Sequence, residues 1–173
     1  NVHVMSGHTH YNRNVIRDGV FEHNHGAVCG AWWTGPICSD GAPRGYGVYE
    51  VTGKQLKWYY KGTGLDRKHQ VSIDIEKLTG NNRIIANVWN HDPEWKVECF
   101  LDGTPVAMEE TKGFDPEAVR LYKGEQLPAG RPFAEPSRTE HLFMAHCSSS
   151  VKVVKVVATD RFGEQFTAEK KVN

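Results

Sequence analysis

From Val71 onward, apolar residues recur at every second position in short runs, and each run stops at a turn signal. Val71, Ile73 and Ile75 alternate with polar neighbours. In the run 83–89, Ile84, Ala86 and Val88 share one parity and Ile85 and Trp89 the other. Val97, Cys99 and Leu101 alternate with Lys96, Glu98 and Phe100, and a segment ending Pro105-Val106-Ala107-Met108 follows. The runs 141–145, 151–159 and 166–172 complete the series. Period two is the signature of a strand with one buried face, and such a face needs a second layer to bury it. Asp102-Gly103, between two runs, reads as a hairpin turn, and Asp160-Arg161-Phe162-Gly163 joins the last two.

About seven short strands in roughly 100 residues predict an immunoglobulin- or fibronectin-like β-sandwich. Trp89 precedes both Cys99 and Cys147, so the antibody order of Cys, Trp and Cys is absent and the sandwich is expected without that disulfide. One helix is expected: Asp115 is a capping residue, Pro116 suits the first helical position and Glu117 follows, with the helix running to Leu121 or Tyr122. The stretch 123–138 carries three prolines and is read as an irregular excursion.

The front of the chain has a different composition. Residues 1–64 hold 11 of the 17 glycines, and five of the nine histidines (His3, His8, His10, His23 and His25) fall within the first 25 residues. Strands are expected at 2–6, 15–16, 20–25, 27–33, 46–51 and 55–60, with a hairpin at Thr52-Gly53-Lys54 and a loop at 34–45. On a strand, Trp32 and Trp33 would point to opposite faces. The composition changes at Lys61-Gly62-Thr63-Gly64, which places a boundary between 1–64 and 65–173. Lys and Arg number 21 against 21 Asp and Glu, so a broadly basic nucleic-acid binder is excluded and no nucleic-acid partner is expected. No run of about 18 apolar residues occurs, so no transmembrane segment is expected. Cys29, Cys38, Cys99 and Cys147 form no C-x-x-C pair, and free or buried thiols are the expectation. A chain that opens at Asn1 directly on a strand is expected to be a piece of a longer protein, with any targeting signal upstream.

Gly7-His8-Thr9-His10 follows the first strand directly. Histidines at i and i+2 in extended backbone project to one side, so both imidazoles can approach one metal or two adjacent ones. Gly7 would allow a sharp turn at the strand end. In this context Val2-His3-Val4-Met5-Ser6-Gly7-His8-Thr9-His10 resembles the last metal-ligand motif of the calcineurin-like metallophosphoesterases. The segments 22–33, 39–46, 89–95 and 158–163 resemble a bacterial branch in which the catalytic domain is followed by a C-terminal β domain. The resemblance covers nearly the whole chain. It implies antiparallel strands from the end of a metallophosphoesterase domain in 1–64 and the appended sandwich in 65–173. It implies that His8 and His10 ligate two divalent metal ions (Mn, Zn, Fe or Ni) that activate water for attack on phosphorus. It also implies a phosphate-ester substrate, a catalytic domain whose N-terminal part is missing here, and an exported protein, periplasmic or otherwise extracytoplasmic. The family's earlier D-x-H, G-D-x-x-D and G-N-H-[DE] motifs do not precede His8 in this sequence. Asn90-His91-Asp92 imitates the last of them but lies downstream, and is read as a sandwich loop.

Three readings compete. The first and favoured is the C-terminal fragment of a metal-dependent phosphoesterase, inactive alone, with no catalytic residue in the fragment itself. The second is a non-catalytic sandwich that binds carbohydrate or protein, with Trp58, Tyr59 and Tyr60 as an aromatic platform. The third is a small zinc protein built on His23, His25, Cys29 and Cys38, whose spacing matches no usual structural zinc pattern. Within the loop 34–45, Arg44 and Asp40 are the candidate substrate-binding residues, because arginine grips phosphate oxygens in a bidentate way. The competing role for Arg44 is an ion pair with Asp40 that holds the loop.

Overall fold

The computed structural model describes residues 2–129 and 134–172. The sandwich is present. Strands β6 (Val71–Lys77), β7 (Asn82–Val88), β10 (Glu109–Phe114) and β11 (Arg138–Cys147) form one sheet in the order β10-β11-β7-β6. Strands β8 (Lys96–Leu101), β9 (Thr104–Val106), β12 (Val153–Thr159) and β13 (Gln165–Lys171) form the other in the order β13-β12-β8-β9. Every pairing in both sheets is antiparallel. Written as successive strands A to G, with β9 as C′, these orders are A-B-E-D and G-F-C-C′, the immunoglobulin arrangement. The inward parity of each strand meets between the sheets: Ile84, Ala86 and Val88 from β7 pack with Val154, Val156 and Ala158 from β12 and Phe166 from β13.

Local chemistry accounts for the connections. Asp102 and Gly103 both have positive φ, 47° and 85°, as a two-residue hairpin turn requires, and Leu101 pairs with Thr104. Helix α1 (Pro116–Lys123) begins at Asp115, whose carboxylate accepts from the Ala118 amide at 2.9 Å. β10 was not expected. Its sequence is polar because it is an edge strand paired only with β11, and a one-sided edge needs little alternation. Residues 130–133 of the proline-bearing excursion lie outside the described residues.

At the front, β1 (Val2–Ser6), β2 (Arg13–Arg17) and β3 (Val20–Asn24) form a sheet ordered β1-β3-β2, and β4 (Gly45–Thr52) and β5 (Gln55–Gly62) form a hairpin. β2 and β3 are antiparallel as expected, but β1 and β3 are parallel. The chain leaves β1 at one edge and enters β2 at the other, so residues 7–12 must cross the end of β3. Asn24 at that end pins the crossing, donating to Thr9 Oγ1 at 2.6 Å and to the Tyr11 carbonyl at 2.9 Å.

The expected strand at 27–33 is absent. Short-range bonds replace a ladder: Gly30 N to Ala27 O, Trp33 N to Cys29 O and Thr34 N to Ala31 O, at 2.9, 3.1 and 3.2 Å. Gly30, Trp32 and Trp33 have φ of 66°, 60° and 61°, which no strand contains. The apolar character of the segment comes from Ala31, buried against Ile37, Ala118 and Tyr122. A short apolar run does not reveal its period.

Front and sandwich meet at several polar joints, two of them built on the buried aspartates Asp92 and Asp40. Arg161, between β12 and β13, forms a bidentate pair with buried Asp92 at 2.7 and 2.8 Å. Its guanidinium lies over the rings of Phe21 and Trp58, 5.0 and 5.1 Å from their centroids. The second joint is centred on Asp40.

Candidate functional site

His8 and His10 lie just past the end of β1. They are not in extended backbone. Both occupy the left-handed region, with φ of 78° and 59°, and Gly7 does not. The crossing over β3 therefore turns on the two histidines, and an added Cβ at Gly7 would meet nothing within 4 Å. Left-handed geometry costs a non-glycine residue about 1–2 kcal/mol, and such strain gathers at functional sites. His8 is exposed and His10 is half-buried.

The His10 ring is held in place. Its Nδ1 donates to the Gly30 carbonyl oxygen at 2.8 Å, and the same oxygen accepts from Trp32 N at 2.9 Å. A carbonyl only accepts, so a proton sits on Nδ1, and in the neutral ring Nε2 is the nitrogen with the lone pair. The Trp32 indole stacks on the imidazole with centroids 4.6 Å apart and planes at 20°, and Trp33 meets it edge-on at 6.2 Å. A ring oriented by a backbone carbonyl with a free Nε2 is how metal-ligating histidines are prepared. The donor set is incomplete: no cluster of three or more His, Cys, Asp or Glu suited to a metal occurs among the described residues. Two imidazoles fit as part of a divalent-metal site that needs three or four ligands.

Asp40 is placed elsewhere than expected. It is fully buried and cannot touch a substrate. Its carboxylate accepts from Asn12 N at 2.5 Å and Ala42 N at 3.0 Å, and faces His141 Nε2 at 3.2 Å. His141 Nδ1 bonds Asn87 Oδ1 at 2.7 Å, while the Asn87 amide donates to the Asp40 carbonyl and to Asp115 Oδ2, both at 2.9 Å. Burial pushes the Asp115 carboxyl above the usual carboxylate range, against hydrogen bonds from Asn87 and Ala118 that lower it. The hub ties the 34–45 loop to β7, β11 and the start of α1. Arg44 does not pair with Asp40. It is exposed and lines a surface hollow with Val28, Cys29, Trp33, Thr34 and Gly35. Nothing in residue spacing signalled His141, Asn87 or Asp115 as partners of Asp40; only the fold brings them together.

The residues of the other two readings are scattered. His23 Nε2 meets His3 Nδ1 at 2.9 Å, and His25 Nε2 bonds the Tyr49 hydroxyl. Burial lowers both His23 and His25 to about 4, with positive charge on His3 and Arg161 adding to the effect at His23 and that on His23 at His25. Cys29 lies 3.7 Å from His10, while Cys38 is buried against the Ala27 and Pro43 carbonyls, and burial pushes its thiol up to about 12. All four cysteines are free thiols. Trp58 and Tyr60 are buried, so they and Tyr59 form no exposed platform. Asn90-His91-Asp92 lies in the loop between β7 and β8, with Asp92 held by Arg161.

Residues 22–166 match the family described as the C terminal of calcineurin-like phosphoesterase. The chain belongs to that family. The match takes in the end of β3, the 34–45 loop, the β4–β5 hairpin and the sandwich up to the start of β13, and it runs across position 64. His8 and His10 precede it. No curated protein matches the chain. For a calcineurin-like phosphoesterase C-terminal region, the structure adds that this region is closed around a buried Asp40–His141–Asn87–Asp115 hub.

Proposed function

We propose that the chain is the C-terminal part of a metal-dependent phosphoesterase that hydrolyses phosphoric mono- or diesters at a two-metal centre, and that it is inactive alone. Residues 1–64 are then the closing strands of the catalytic domain and 65–173 its appended sandwich. Family membership supports the parent's class. The observation that carries the site is His10, whose Nδ1–H is fixed on the Gly30 carbonyl so that Nε2 is free to ligate. His8, exposed on the same strained crossing, is the second donor. Val2, Val4 and Met5 of β1 and Val20 of β3 are exposed apolar side chains, as expected of strands that meet further structure in the parent. Divalent cations such as Mn, Zn, Fe or Ni polarise phosphoryl oxygens and lower the pKa of a bound water. The chain's own contribution is two oriented imidazoles; the bridging carboxylates belong to the rest of the parent.

The test has two arms. Residues 1–173 with added Mn, Zn or Ni are expected to leave para-nitrophenyl phosphate and its bis ester intact; metal-dependent turnover that co-purifies with the chain contradicts this. In the parent protein, His10→Ala is expected to lower bound metal per chain, read by elemental analysis, and to reduce kcat/KM by about a hundredfold or more. Unchanged metal content and activity would reject the assignment of His10.

A further inference from the structure

A pocket of about 270 Å³ opens where β2 meets the sandwich. Asn14 lines it from β2, His91 from the loop between β7 and β8, Glu110 from β10, and Thr139 and Glu140 from β11. The loop that carries His91 is pinned on both sides of that residue. Asn14 Nδ2 donates to the Asn90 and His91 carbonyls at 3.0 and 3.1 Å and to Asn90 Oδ1 at 3.2 Å, and Arg161 grips Asp92. The imidazole itself makes no hydrogen bond among the described residues. Its side chain is only 8% exposed, and its Nδ1 faces Glu110 Oε1 at 3.9 Å, beyond hydrogen-bond reach. Burial, and after it the charge on His141, lowers its pKa to about 4, so at neutral pH the ring offers one N–H and one lone pair. Two more groups on residues of the same wall, Asn14 Oδ1 and Thr139 Oγ1, are buried without a partner. Unpaired buried polar groups destabilise a fold, and three of them converge on this one pocket.

The groups present select a class of ligand. Asn14 Oδ1 only accepts, the Thr139 hydroxyl donates and accepts, and the neutral His91 ring does one of each. On the rim, Glu140 already pairs with Arg13 and Lys112, and Glu110 adds a second carboxylate. A phosphate or carboxylate only accepts, so it would leave Asn14 Oδ1 unmatched and would face Glu110 and Glu140. An ammonium group would face Arg13 and Lys112. A hydroxyl carries no charge and both donates and accepts, so a ring bearing several hydroxyls matches every one of these groups. We infer that this pocket binds a neutral polyhydroxylated ring, one unit of a sugar or cyclitol, through hydroxyls placed on His91, Thr139 and Glu110. The site is independent of the reading of His8 and His10 as metal donors.

Binding to the 173-residue chain tests it. Glucose, galactose and myo-inositol are titrated while the histidine Hε1 resonances are followed by NMR, with inorganic phosphate and acetate as charged comparators. The His91 resonance is assigned by its loss in His91→Phe. At least one of the three rings is expected to shift it saturably in the millimolar range or tighter, and the two anions are expected to leave it in place. Thr139→Val removes an unpaired hydroxyl and keeps the shape of the side chain, so it should hold or raise the unfolding midpoint while weakening the ring by about fivefold, the scale of one hydrogen bond. Glu110→Gln changes an exposed carboxylate and should also weaken the ring, with the midpoint unchanged. No saturable shift from any of the three rings overturns the inference. Phosphate or acetate shifting His91 at lower concentration than the rings overturns it in favour of an anion site. A ring that binds both variants as tightly as the unaltered chain overturns it as well. If His10→Ala leaves the complete enzyme fully active, the metal assignment fails, and the ring titration still decides this site on its own.

Discussion

The sandwich and the front of the chain each have a buried interior, but of different chemistry. Between the two sheets the buried side chains include Ile84, Val88, Val154, Val156, Ala158 and Phe166, which need only volume and a dry neighbour. At the front, beside apolar Phe21, Ala31 and Ile37, they include Asn12, His23, Asn24, Asp40, Trp58 and Tyr60, which carry polar groups that must also find partners. Apolar packing is forgiving, because a lost methyl group costs about 1 kcal/mol and neighbours relax. A hydrogen-bonded interior is not, because one displaced partner leaves a buried polar group unsatisfied at about 1–3 kcal/mol. Sensitivity to single substitutions and to pH should therefore concentrate at the front and at its joints with the sandwich.

The largest expected effect breaks the hub. Gly41 has φ of 84°, and a Cβ there would collide with the Asp115 carboxyl group. Gly41→Ala adds left-handed strain to a clash that must displace Asp115 from Asn87 and from the α1 cap, so a loss of about 2–5 kcal/mol is expected in urea denaturation. A loss below about 1 kcal/mol would mean that the hub yields easily and that the contrast between the regions is overdrawn.

The next effect is in pH. Burial holds His23, His25 and His91 neutral to about 4, while the unfolded chain protonates them near 6.5. Between those values the unfolded state binds more protons, so stability falls as pH falls, by up to roughly 1.4 kcal/mol per pH unit for each histidine. Glu140 and Glu164 are lowered, Glu140 chiefly by Lys112 and Glu164 by Lys68 and Arg67 against burial, so their contributions are lost only at still lower pH. Asp115 and Asp160 are raised by burial and work the other way, gaining stability as pH falls. Hydrogen exchange is the readout: at pH 5, amides of β3 should lose protection before those of β7 and β12. Simultaneous loss in all three strands would show that the regions unfold as one unit and would remove the basis for separating them.

The same contrast decides what could be read from sequence. Alternation at Val71, Ile73 and Ile75 made the sandwich legible, because its strands bury one face and water reaches the other. Asp115-Pro116 announced the helix, and Asp102-Gly103 the hairpin, since both signals act within four residues. The front carries few such local rules. Asp40 meets His141 across 101 positions and Asn87 across 47, and no spacing encodes such a meeting. The run 27–33 looked like a strand because its apolar residues serve a buried turn. Gly-His-Thr-His was legible as lying just past a strand end, but the left-handed backbone of His8 and His10 was not, because it follows from the parallel placement of β1 beside β3. The carbonyl that orients His10 lies 20 residues away and was beyond any local pattern.

The smallest expected effect separates backbone strain from crowding. Gly103 in the sandwich hairpin has φ of 85°, essentially the angle of Gly41, yet an added Cβ would meet nothing within 4 Å. Gly103→Ala therefore pays only the conformational term, about 1–2 kcal/mol for a left-handed residue, reduced by the lower entropy of the unfolded chain with alanine. The Asp102 carboxylate stays in place, accepting from the Lys152 and Val153 amides at 3.1 and 2.9 Å, so the turn remains anchored to the strand that follows. Thermal unfolding of the two alanine variants side by side makes the comparison. A Gly41 loss clearly above the Gly103 loss assigns the excess to the Asp115 collision, and thus to the polar hub. Equal losses would place the whole cost in the backbone dihedral, and the front would then be no less tolerant of substitution than the sandwich.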